Sequence, residues 1–141
     1  MKDITCAGIG AVGGAIAALL GGWDSALITL MIFMAIDYLS GLLVAGVFHR
    51  SAKSDSGALE SRAGWKGLCK KGMTLLFVLI AHRLDLAIRV SYMRDAVIIG
   101  FMTNELLSIT ENAGLMGIPL PGTITKAIDI LTRESEREGE K

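Results

Sequence analysis

The chain has 141 residues, room for one domain, and 52% of them are hydrophobic with a mean hydropathy of +0.53, which is too apolar for an ordinary soluble domain of this length. Its 14 basic and 14 acidic residues cancel to a formal charge of zero and are spread over several loops, leaving no bulk electrostatic case for nucleic acid. Cys6 and Cys69 are far apart, with no CxxC and no His at ligand spacing, so no disulfide framework, metal or cofactor is indicated.

The first apolar segment, residues 4–20, is at the short end of the spanning range. Gly8, Gly10 and Gly13 spell G-x-G-x-x-G, the opening of a dinucleotide-binding fold, but no second strand ending in an acidic residue and no strand-helix alternation follows. A signal peptide with Lys2 as its basic start competes; against it, a second apolar run begins almost at once. Read as a membrane helix, the segment is dominated by Gly and Ala, and Gly10 with Gly14 forms GxxxG, the pattern through which helices approach closely in lipid.

Residues 26–48 form the strongest element: 23 residues whose one charged residue, Asp37, stands at the midpoint. Such a helix rises about 35 Å, enough to cross a hydrocarbon core of about 30 Å. A carboxylate there costs about 2.5 to 3.5 kcal/mol to insert, so Asp37 is expected to face protein or water, either hydrogen-bonded to another helix or beside a water-lined path. Ser40 follows it, and Gly41 with Ala45 makes a small-xxx-small packing pair.

The connection 49–71 carries Arg50, Lys53, Arg62, Lys66, Lys70 and Lys71 against Asp55 and Glu60, whereas the turn near Trp23 has no Lys or Arg. The positive-inside rule puts this loop and the N-terminus in the cytoplasm. From Arg62 the basic residues recur every four positions, with Trp65 and Leu68 on the other face; a short basic amphipathic helix on anionic headgroups is expected, with Arg62, Lys66, Lys70 and Lys71 at the membrane surface, or else a solvated lead-in to the next span.

The third apolar segment, 72–90, admits His82, Arg83, Asp85 and Arg89. Asp85 and Arg89 stand four apart and can pair, and His82, Asp85 and Arg89 share one stripe. In lipid such residues pair against other helices, line water or snorkel outward. The fourth segment, 95–118, is amphipathic: Asn104, Glu105, Ser108, Glu111 and Asn112 cluster within an arc of about 120°, a stripe suited to an aqueous lumen, the interface or a hydrogen-bonded seam. Ser108 to Glu111 also fits a capping box, a possible helix restart. Gly114, Gly117, Pro119 and Pro121 end the helix, Ile124, Ala127, Ile128 and Leu131 mark a short amphipathic one, and residues 132–141 read as a charged, solvated and partly disordered tail.

The expectation is an all-α integral membrane protein of one domain, with three to four transmembrane helices (residues 4–20, 26–48, 72–90 and 95–118) and the short cytoplasmic helix. Four spans put both termini inside; three, with 95–118 along the interface, put the tail outside.

Asp37-Tyr38-Leu39-Ser40-Gly41, Ser61 with Gly64-Trp65-Lys66-Gly67-Leu68-Cys69-Lys70-Lys71, Asp85, and the block from Asn104-Glu105 to Glu111-Asn112 followed by Gly117-Ile118-Pro119 together resemble the toxin-secretion/phage-lysis holins. The match covers most of the chain in family order, with Glu60 where the family usually has Asn and Ser40 where it has Thr. The resemblance implies no catalytic residues and no enzyme. It implies a homo-oligomeric pore in the bacterial cytoplasmic membrane, coupled to an endolysin, or a related toxin-export route. Asp37, Ser40, His82, Asp85, Arg89, Asn104, Glu105, Ser108, Glu111 and Asn112 are then candidates for pore lining or intramembrane polar contacts, and Gly10, Gly14, Gly41 and Ala45 for helix packing. Two other readings stay open: an antiholin joining the same oligomers without opening them, and a small proton-coupled exporter using Asp37.

Overall fold

The computed structural model describes residues 1–140. Five α-helices follow one another, α1 (Lys2–Leu19), α2 (Ser25–Gly46), α3 (Ser61–Ile88), α4 (Met93–Leu115) and α5 (Gly122–Gly139), with no strand among the described residues. The glycines of the G-x-G-x-x-G string all lie inside α1, which disposes of a dinucleotide-binding turn.

Helices α2, α3 and α4 form the bundle. Leu27, Leu30 and Met34 of α2, Val78 of α3, and Ile98 and Met102 of α4 fill its centre, with Leu20 closing one end. These positions recur at helical spacing, so each helix turns one apolar stripe inward. Arg94 at the start of α4 reaches Asp24 at the start of α2, and Asn112 near the end of α4 reaches Ser40; α2 and α4 therefore run parallel, with α3 antiparallel between their ends. The Phe77 and Phe101 rings, centroids 6.1 Å apart, join α3 to α4.

Three boundaries differ from those expected. The basic helix and the third apolar segment are one unbroken helix of 28 residues, because Gly72 interrupts neither the backbone ladder nor any contact. Helix α4 passes through Ser108 without a restart: a capping box acts only where the preceding backbone is non-helical. The charged tail continues α5 to Gly139, and its Ile124, Ala127, Ile128 and Leu131 face sits half-buried along α4. Ser135 lies against Gly100, so α5 returns antiparallel beside α4. The reversal runs through residues 116–121, where Gly117 takes a left-handed φ of 77°.

Helix α1 stands apart. Within it only Ala17 is buried, and a Cβ placed on Gly8, Gly10, Gly13 or Gly14 would meet nothing within 4 Å.

Candidate functional site

Two polar clusters lie at different heights of the bundle. The deeper one forms where α2, α3 and α4 meet. Lys71 of α3 directs its Nζ between two carboxylates, 2.7 Å from Asp37 Oδ2 and 2.6 Å from Glu105 Oε2. Asn112 donates to the Asp37 main-chain carbonyl at 3.3 Å, to Asp37 Oδ1 at 3.3 Å and to Ser40 Oγ at 2.9 Å. The Ser40 hydroxyl in turn donates to the Asp37 carbonyl at 3.0 Å. Lys53, from the connection before α3, approaches the other Asp37 oxygen at 4.0 Å. Asp37 and Glu105 are each 6% exposed. Charge-assisted hydrogen bonds of this length offset part of the cost of taking three ions out of water.

Small residues allow the helices to come this close. Gly41 faces the Asn112 amide, and the Tyr38 ring rests over Gly64 and Gly67 of α3, where a Cβ at Gly64 would stand 3.3 Å from the tyrosine oxygen. Ala45 is buried in the same seam. Above the cluster a cavity of about 800 Å³ opens among α2, α3, α4 and residues 51–60; Asn104, Ser108 and Glu111 line it with Lys66 and Lys70.

The second cluster ties the helix turns at the other end. Arg94 donates to the carbonyls of Leu20 (2.5 Å) and Gly22 (3.2 Å), and its guanidinium grips Asp24 at 2.6 and 3.2 Å. Asp24 also caps α2, accepting from the Leu27 amide at 2.9 Å. The Arg94 guanidinium beside it is the chief reason its carboxyl lies below the ordinary 3.8. Asp85 accepts from the Met93 and Arg94 amides at 3.0 and 2.9 Å, so α3 supplies the N-terminal cap of α4.

The sequence-derived candidates therefore divide. Asp37, Ser40, Glu105 and Asn112 meet in one network, while Asn104 and Glu111 are exposed at the cavity rim. Two expectations are corrected. Lys71 is not a membrane-surface residue: it is turned inward with a 14% exposed side chain, whereas Arg62, Lys66 and Lys70 remain exposed. Asp85 does not pair with Arg89; its oxygens are taken by backbone amides, and Arg89 is an exposed residue in the left-handed conformation (φ 59°) that ends α3. His82 stands at the second cluster, beside Gly21. Arg94 and Lys53 were not among the expected site residues. Arg94 shares a stripe with Ile98, Met102 and Glu105, and that spacing is the signal for an inward-facing cation.

Residues 14–133 match the bacteriophage holin family. The chain belongs to that family. As a member of the holin family it is a membrane protein, not an enzyme, and α1 and α2 are the helices long and apolar enough to cross a bilayer. An uncharacterised protein of Listeria innocua is 37% identical over the whole of this chain and 96% of its own length. An uncharacterised Clostridium perfringens protein is 33% identical over 90% of this chain and 92% of its own length. A protein of Bacillus phage phi105 named a probable holin is 27% identical over 79% of this chain and 78% of its own length. No solved structure matches the chain.

Proposed function

We propose that this holin-family protein assembles with copies of itself in the bacterial cytoplasmic membrane into a pore through which an endolysin is released or activated, with its N-terminus in the cytoplasm and its basic connection on the same side. The observation that carries the reading is α1: an apolar helix of 18 residues, one face rich in Gly and Ala, with almost no partner inside its own subunit. A helix bundle in lipid gains contact energy chiefly by close packing, so a small-residue helix left bare is supplied for another copy. The probable holin of phage phi105 supports the lytic assignment.

In this reading the ion cluster is internal to each subunit. No buried side-chain nitrogen or oxygen among the described residues lacks a partner, so Asp37, Glu105 and Asn112 hold three helices together rather than waiting for sister copies to shelter them. A charge moved across the membrane field is worth about 2.3 kcal/mol per 100 mV, which makes collapse of the potential a natural trigger for rearrangement. The test is induction in a bacterial host with and without a cytoplasmic muralytic enzyme. Membrane-impermeant dye should enter in both cases, and optical density should fall only when the enzyme is present. Dye exclusion at full expression would refute the pore.

A further inference from the structure

We infer that the charged outer face of α5 forms the wall of the aqueous passage, a reading that rests on the pore proposed above and names its lining. The surface of the subunit is one-sided. Ile32, Ile36 and Leu43 of α2 and Leu76, Ile80 and Leu84 of α3 are exposed large apolar residues, as lipid contact requires. On the other side α4 leaves only Leu107 so exposed and α5 only Ile130.

The geometry sets the depth of that second side. Helix α4 runs parallel to α2 from the Arg94–Asp24 contact to the Asn112–Ser40 contact, so it occupies the same layer as a helix built to span. Helix α5 returns along α4 as far as Gly100 and beyond, about 27 Å of helix at 1.5 Å per residue. Its Lys126, Asp129, Arg133, Glu136 and Arg137 fall within an arc of about 100° and are all exposed, opposite the Ile124 and Leu131 face that sits on α4. Charges at that depth are tolerated only against protein or water.

Composition argues against a place on the headgroups instead. Lys126, Arg133 and Arg137 are outnumbered by Asp129, Glu134, Glu136 and Glu138 within α5, whereas helices that lie on anionic lipid carry an excess of Lys and Arg. The exposed arc mixes three cations with Asp129 and Glu136, and Glu134 at its border pairs with Arg137 at 3.9 Å, a mixture of signs that fits a water-filled wall. With copies joined through α1, the apolar faces of α2 and α3 meet lipid and α5 meets the lumen.

The experiment uses the full chain with Cys6→Ser and Cys69→Ser, reconstituted densely in liposomes holding dyes of graded size. Single cysteines are placed by Asp129→Cys, Arg133→Cys and Glu136→Cys, with Ile36→Cys as the lipid-side control. The three α5 positions should react with a polyethylene-glycol maleimide, and leakage of the largest permeant dye should then fall several-fold; Ile36→Cys should stay unreacted with unchanged leakage. Leakage indifferent to modified α5 positions, or α5 positions that do not react in leaking liposomes, would overturn this inference alone. Liposomes that never leak with the unsubstituted chain would overturn the pore and this lining together.

Discussion

Lys71 answers two carboxylates at once, and that makes it the residue on which the bundle most depends. Lys71→Met would remove the cation between Asp37 and Glu105 and leave only the exposed Lys53, 4.0 Å from Asp37; breaking a buried pair from one side costs about 3 to 5 kcal/mol. Thermal unfolding in detergent should show the loss, and adding Glu105→Gln should recover part of it by removing one orphaned charge. Asp37 was legible in the sequence because it is the one charged residue in an apolar run. Lys71 was not, since it adjoins Lys70 in a basic run; yet it stands four residues after Gly67 and three before Thr74, on the inward stripe, one step off the Arg62, Lys66, Lys70 series. At the other cluster, the hydrogen bond from Arg94 holds the Asp24 pKa below its ordinary value. Asp24 then contributes stability that is fully present above its ordinary value of 3.8 and fades as pH falls through the lower folded value. Half-exposure of Asp24 screens the pair and keeps the effect small. Melting curves taken down an acid series should steepen there, and Asp24→Asn should flatten that limb.

At the scale of the elements, the turn between α1 and α2 is built on left-handed glycines. Gly21 has φ 91°, and a Cβ there would come within 2.5 Å of Arg94 Nε and 2.9 Å of His82 Nδ1. Gly22 has φ 101° but open space around it. Gly21→Ala should therefore destabilise by about 1 to 3 kcal/mol, and Gly22→Ala by less, a ranking that thermal melts in detergent can read. For α1, Gly10→Leu with Gly14→Leu should weaken association between copies, seen as lost cross-linking in membranes, while the melting temperature of the single subunit stays put, since neither glycine touches the bundle. The existence and type of α1, α2 and α4 were readable from apolar length and period. The unity of α3 was hidden because charge density changes at Gly72 while the backbone does not, and α5 was shortened because its last two turns keep their helical spacing in Ser135 and Glu138 rather than in apolar residues.

For the molecule as a whole, helical class and family were legible from the blocks around Asp37, Gly64 to Lys71 and Asn104 to Asn112, which the structure gathers into one contact: Tyr38 lies on Gly64 and Gly67, and Asn112 on Asp37. What the sequence could not show is that these groups satisfy one another within a single chain. Because the core and both polar clusters are intramolecular, unfolding of the purified protein in detergent should have a midpoint independent of protein concentration, unlike an obligate oligomer; melts across a dilution series check it. Helix α3 gives this self-sufficiency a mechanical side. As an unbroken rod it carries Lys71 and Asp85 about 21 Å apart along one axis, and the two are nearly in line. A twist that withdraws the ammonium from its acids also drags the cap off the first turn of α4, so the fastenings at the two heights release in concert, like teeth cut on one spindle.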